Sequence, residues 1–364
     1  MSAGWQEALD QVFAAIRIDA PHELTFAGRK LTVPPSPVPG VPGINGNGNV
    51  NNVNGNGAKV PPAPMIDLLS GVLYRWVYSR PFKPPLPPLP EDGQDREDFT
   101  QDSGLSDALS AANASRDRWE HGWTISQVHS SGQITAERGG LSRSVWPGQF
   151  LSKDGPGARP RPGAQISIFY QRESTSLQHG FYYCFGETPE EESYSLGIAR
   201  IYWNVGLAGA PELVRSLSRR LNFFQVPFRF KCSVMPGQYE RTDVAVLYLA
   251  KRLFPFVTDV LQEVYPDVRG HLQPEVPFFT RRLAPGVGTA EDPGNGESFG
   301  QHRCRLLAES CWSCFLRGDQ EAASRLAELR ALAGVQGVDP ERFHLNAGSL
   351  DCYEAAIAGS ESWS

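Results

Sequence analysis

The sequence predicts an α+β fold: a mixed, mainly antiparallel sheet flanked by helices. Two observations predict it. From about Ser106 a series of short alternating apolar and polar runs, "WTISQVH", "QITAER", "SRSVWPG", "QISIFYQR" and "GFYYCFG", is broken by Gly-, Ser- and Asp-rich turns, the pattern of antiparallel strands. Around them lie segments whose apolar residues recur at helical spacing, so helices and strands share one core.

Taken in order, Trp5 to Ile16 reads as an amphipathic helix, and "ELTFAGRKLTV" alternates like a strand or short hairpin. Residues 34–63 are Pro-, Gly- and Asn-rich with almost no core-forming content, which predicts a low-complexity loop closing an N-terminal helical segment over 1–80. In "MIDLLSGVLYRWVYSR" the residues Leu68, Leu69, Val72, Leu73 and Trp76 form an apolar stripe that must dock on a partner. A Pro-rich acidic linker is expected over 81–104, a β-rich region that binds substrate or leader over 105–195, a core over 196–316 and a helical region over 317–364. Within the core, "ARIYWNV" and "PFRFKCSV" read as strands joined by the helix of "GAPELVRSLSRRLNFFQV", with Pro211 in its first turn. "DVAVLYLAKRLFPFVTDVLQEVY" reads as helical, and a pair of helices ends the chain.

Composition removes several functions. The formal net charge of -6 and the lack of any lysine-rich run argue against nucleic acid as a partner. No apolar run is long enough to cross a bilayer, and the start "MSAGWQEALDQVF" lacks the basic and apolar regions of a signal peptide, so a cytoplasmic protein without membrane contact is expected. The 6 cysteines are too sparse for a disulfide framework in 364 residues. "CWSC" at Cys311 to Cys314 has redox spacing but sits inside a helical apolar pattern, which favours packing over chemistry. Neither GxxxxGK[ST] nor GxGxxG occurs in "APGVGTAEDPGNGESFG", which argues against a kinase.

What stands out is arginine placement. Alternation puts Arg229 and Lys231 on one face of their strand, with Phe228, Phe230 and Cys232 on the other. "ARIYWNV" repeats the arrangement with Arg200, Tyr202 and Asn204, so the two polar faces can form one floor. "MPGQYERTD" returns Tyr239 and Arg241 to the same region, Arg281 and Arg282 precede the glycine-rich stretch, and His302, Arg303 and Arg305 follow it. A solvated sheet face explains any one such pair. The whole set suits an anion, because guanidinium forks match phosphate oxygens in pairs.

The stretch from "RIYWNV" through "VPFRFKCSVMPGQYERTDVAVLYL" to "PFFTRRLAPGVGTAEDPGNGESFGQHRCRLLAE" resembles the HopA effector-like proteins, specifically over Arg200 to Glu309. Members of that family also occur beside kinase-like proteins in class V lanthipeptide and thioamitide clusters. The resemblance implies a core similar to phosphothreonine lyases. It implies a phosphoserine/phosphothreonine lyase that removes phosphate from a precursor peptide phosphorylated by a kinase-like partner, leaving dehydroalanine or dehydrobutyrine, without metal or redox cofactor.

In that reading Lys231 is the base, since related lyases use a lysine on such a strand. Its neutral form would be favoured by like-charge repulsion from Arg229 and Arg241, down from the usual value of about 10.4. Arg229, Arg241, Arg281, Arg303, Asn204 and Tyr239 are the expected phosphate and substrate ligands. The corresponding Lys-x-His strand of phosphothreonine lyases is "RIYWN" here and has no histidine. Either Tyr202 or His302 therefore supplies the acid, or arginines alone neutralise the departing phosphate. The alternative is a non-catalytic scaffold that recruits the peptide to its kinase.

Overall fold

A computed structural model describes residues 3–33, 63–86, 98–155, 157–189, 197–353 and 357. Most of the expected low-complexity loop, and residues 87–97 of the Pro-rich acidic linker, lie outside the described residues. The fold is α+β with antiparallel sheets. Helix α1 (Ala3–Ala14) stops two residues before the expected Ile16, which instead opens β1 (Ile16–Ala20) of a three-stranded meander with β2 (Glu23–Phe26) and β3 (Arg29–Thr32). Ala27 and Gly28, both at positive φ, make the tight turn of the predicted hairpin.

Helix α2 (Pro64–Leu73) continues as a single π-helical stretch over Tyr74–Tyr78. Helix α3 (Ser103–Ala112) begins where the Asp102 carboxylate accepts from the backbone N–H groups of Gly104 and Leu105. Four of the predicted short strands follow as β4 (Arg118–Val128), β5 (Ile134–Arg138), β6 (Leu141–Val145) and β8 (Gln165–Tyr170), with the unpredicted β7 (Phe150–Ser152) between the last two, while "GFYYCFG" belongs to the large sheet. They form a five-stranded sheet of order β6-β5-β4-β8-β7 with its own small core around Trp123, Ile134 and Ile166.

The large sheet is seven-stranded, of order β14-β15-β11-β13-β12-β10-β9. Its strands are β9 (Glu173–Ser174), β10 (Phe181–Phe185), β11 (Ile198–Trp203), β12 (Arg229–Ser233), β13 (Ala245–Ala250), β14 (Arg281–Ala284) and β15 (Val287–Glu291). Helix α4 (Ala210–Phe223) links β11 to β12 as expected, and Leu213, Leu217 and Leu221 are buried.

One expectation is corrected. "DVAVLYLAKRLFPFVTDVLQEVY" is not one helix. Its first half is the central strand β13, and only the second half, from Phe254, is helix α5 (Phe254–Val268). All six residues of β13 are buried, so both its faces are apolar enough to erase the alternation that marks a half-exposed strand. Pro255 in the first turn of α5 marks the boundary that periodicity hid.

The two faces of the large sheet differ. One carries Ile201, Phe230, Cys232 and Leu247 into a core shared with α3, α4 and α5. The other carries Tyr202, Val246 and Tyr248 against α2, the π-helical stretch and helix α6 (Phe299–Leu316), with helix α7 (Ala322–Val335) behind it. Cys311 and Cys314 are both buried in α6, and burial pushes the Cys311 thiol up to about 12, consistent with packing.

Candidate active site

Strand register builds the site. β11 and β12 are not neighbours, because both pair with β13, which runs antiparallel between them. Arg200 on β11 and Arg229 on β12 are each opposite Tyr248, while Tyr202 and Lys231 are each opposite Val246. The expected common floor therefore exists, with a third strand through its middle. The Arg200 and Arg229 guanidiniums lie 5.4 and 5.0 Å from the centre of the Tyr248 ring. On the far side of β12, Tyr183 of β10 pairs with Lys231, and the Lys231 ammonium lies 4.3 Å from the centre of the Phe181 ring.

Above this floor is a cavity of about 350 Å³, lined among others by Lys231, Tyr202, Tyr248, Arg241, Tyr78 and His179. An outer cleft of about 680 Å³ shares Gln178, His179, Arg200, Lys231, Tyr248 and Ser298 with it and adds Arg229 and Gln301 as well as the carboxylates Asp292 and Glu297. The turn before β10 supplies the rim. Gln178 accepts from Lys231 Nζ at 3.2 Å and from the Tyr183 hydroxyl at 2.7 Å, and the Gln101 amide sits 2.7 Å from His179 Nδ1.

Charge compensation separates the cations. Arg241 forms a two-pronged pair with Asp243, with Nε to Oδ1 and Nη2 to Oδ2 both 2.9 Å, and its Nη2 also donates to the Tyr74 hydroxyl at 2.9 Å. Arg200 is held by Asp292. Arg229 and Lys231 have no carboxylate partner among the described residues. Tyr202 stays a proton donor, since burial, offset in part by Arg200, pushes its phenol up to about 12.

Helix α6 brings its start to the cleft. Its Ser298 cap accepts from the N–H of Gln301 at 3.2 Å, and both residues line the outer cleft, so the positive end of an 18-residue helix dipole points there. This close approach depends on Gly300, where a Cβ would collide with the ring of Tyr78. Gly300→Ala should cost about 1–3 kcal/mol by overpacking, read as a lowered midpoint in denaturant unfolding with an unchanged slope.

The remaining expected ligands lie elsewhere. His302 is buried at 3% exposure, and its Nδ1 faces Arg303 Nη1 at 2.6 Å rather than the cavity. Burial, then Arg303, lowers it to about 4, so it is neutral near pH 7. Arg303 is fully buried, donating to the carbonyls of Phe343 and Leu345, and ties the C-terminal segment to α6. Arg281 sits on the edge strand β14 facing Asp351 at 3.3 Å. Asn204 donates to the Glu275 carbonyl at 3.0 Å, and the Tyr239 hydroxyl donates to the Ser233 carbonyl at 2.8 Å. All five belong to the framework in this arrangement. Gln178, His179, Tyr248 and Ser298 were absent from the expected set. Tyr248 lies in a stretch whose apolar pattern predicts a helix, and no alternation along the fully buried β13 marks it.

Residues 172–345 match the family model described as the HopA1 effector protein family. No curated protein matches the chain. Among solved structures, the effector protein from Pseudomonas syringae pv. tomato strain DC3000 is similar, with a TM-score of 0.43, 15% identity and coverage of 80% of this chain and 92% of that one. The effector protein from Pseudomonas syringae pv. syringae strain 61 gives a TM-score of 0.40 and 14% identity, covering 78% and 96% of the two chains. The matched segment, just under half of the 364 residues, contains every residue named above on strands β10 to β13 and at the start of α6, so it is over the candidate site that the chain is similar to the HopA1 effector protein family.

Proposed function

We propose that the protein is a phosphoserine/phosphothreonine lyase acting on a precursor peptide phosphorylated by a partner kinase. The observation that carries this reading is the pairing of Lys231 with Arg229, two cations without carboxylate partners among the described residues, beside Arg200 and the start of α6 in one cleft. An acidic chain that leaves two cations uncompensated in a pocket is suited to an arriving anion. In the reaction, Arg229, and Arg200 through the Nη1 that Asp292 does not engage, hold the phosphate together with the α6 N-terminus. Neutral Lys231 takes the Cα proton, the C–H electron pair becomes the new C=C bond, and the C–O bond breaks with phosphate leaving. Tyr202, still protonated, donates to the developing negative charge on the peptide carbonyl.

The test is incubation of the purified protein with a phosphothreonine peptide, with and without a leader segment and a kinase partner, followed by mass spectrometry. Loss of phosphoric acid is expected. Peptide binding with phosphate retained under every condition would replace the lyase by the scaffold reading. Within the lyase, Arg229→Gln should weaken phosphopeptide binding about ten- to a hundredfold, the worth of one charged hydrogen-bonding partner, as measured by calorimetry.

A further inference from the structure

The reading just given leaves the departing phosphate without an acid. A phosphothreonine dianion leaves with a third negative charge unless it receives a proton. His302 points away from the cavity, and Arg200 and Arg229 carry protons they do not release near neutral pH.

Tyr248 occupies the position such an acid needs. It lies on β13 between Arg200 of β11 and Arg229 of β12, so a phosphate held by the two guanidiniums is brought to the phenol between them. Lys231 of β12 lines the same cavity and outer cleft as Tyr248, opposite Val246, two residues before it on β13. Tyr202 of β11 and Tyr183 of β10 interact with it electrostatically, His179, Arg241 and Asp243 line the same cavity, Glu297 lines the outer cleft, and Asp292 holds Arg200 there. At 8% exposure Tyr248 lines both the cavity and the outer cleft.

We propose that Tyr248 is the general acid for the leaving phosphate and that it collects the proton it delivers from Lys231. This rests on the lyase reading of the site. The cycle closes without any outside reagent. The Tyr248 phenolate takes a proton from the Lys231 ammonium, giving a neutral amine and a neutral phenol. The amine removes the Cα proton, the C–O bond breaks, and the phenol gives its proton to the phosphate as it departs. Lys231 ends as the ammonium and Tyr248 as the phenolate, ready for the next peptide. Electrostatics agrees with a phenol that exchanges protons here. Burial works against ionisation, but Lys231, then Arg200 and Arg229, outweigh it and hold Tyr248 below its ordinary value of 10.0.

Tyr248→Phe should lower kcat for a phosphothreonine peptide about 10²- to 10³-fold, in the range of general acid catalysis, while calorimetric affinity for the peptide stays within a few fold. With a thiophosphothreonine peptide, whose leaving group is the weaker base, the loss should shrink to less than tenfold. In a second arm that keeps the phenol, site-specific replacement of Tyr248 alone by 3-fluorotyrosine should move the rising limb of the pH–kcat/KM profile to lower pH. An unchanged kcat in Tyr248→Phe, or an equal loss with both leaving groups, or an unmoved limb in the fluorinated protein, would overturn the assignment while leaving the lyase standing. A wild-type protein that eliminates from neither peptide removes the lyase reading and this assignment together.

Discussion

Lys231→Ala is expected to lower elimination from a phosphothreonine peptide by about 10³-fold or more, at the upper end of what a positioned base contributes. Loss of charge alone would also weaken phosphate binding, so the alanine variant cannot by itself separate a base from an anion ligand. Lys231→Arg separates them. The guanidinium keeps the positive charge and can still face Gln178, but it does not release a proton near neutral pH. If Lys231 is the base, the arginine variant binds the phosphopeptide within a few fold of wild type and eliminates no faster than the alanine variant. If Lys231 only attracts phosphate, the arginine variant recovers most of the rate. Single-turnover mass spectrometry at saturating peptide reads the chemical step free of binding.

How much of this was legible in the sequence depends on whether polar residues mark one face of an element. In β11 and β12 polar and apolar residues alternate, although β11 is buried at all but its first residue, and their polar faces put Arg200, Tyr202, Arg229 and Lys231 on one floor. The central strand β13 does not alternate, because both its faces are covered, and its apolar pattern predicts a helix. That error concealed Tyr248 and left the spatial order of the floor open. The arginine count misled for a related reason. Arg303 and Arg241 are as basic in sequence as Arg229, but one ends on backbone carbonyls and the other on Asp243 two residues away. Sequence spacing says which side chains share a face, and only the fold says which of them are already satisfied. The start of α6 illustrates both halves. The sequence points to His302 and Arg303 after the glycine-rich stretch, yet it is Ser298 and Gln301 that reach the cleft, while His302 and Arg303 turn inward.

Asp243→Asn should destabilise the protein by about 3–5 kcal/mol, the cost of leaving one member of a buried ion pair uncompensated. The substitution keeps size and shape but removes the charge that Arg241 meets with two of its nitrogens, and it disturbs the Tyr74 hydroxyl, 3.2 Å from Oδ2. Both partners are largely shielded, with side-chain exposures of 16% for Arg241 and 9% for Asp243, so water cannot replace the lost carboxylate. Burial raises the Asp243 carboxyl, but Arg241 outweighs it, and the net effect holds the group below its ordinary value. A depressed folded value means the pair contributes stability above the unfolded value of about 3.9 and loses that contribution as pH falls through the folded value. Denaturant unfolding followed from pH 7 down to pH 2 should therefore show a steeper acid limb in wild type than in Asp243→Asn. The double variant Arg241→Met with Asp243→Leu should recover most of the lost stability, because a well-packed apolar pair often replaces a buried ion pair without penalty. It should also bind the phosphopeptide as tightly as wild type, since the Arg241 fork is spent on Asp243 and Tyr74. A tenfold or greater loss of affinity in that double variant would instead make Arg241 a phosphate ligand alongside Arg229.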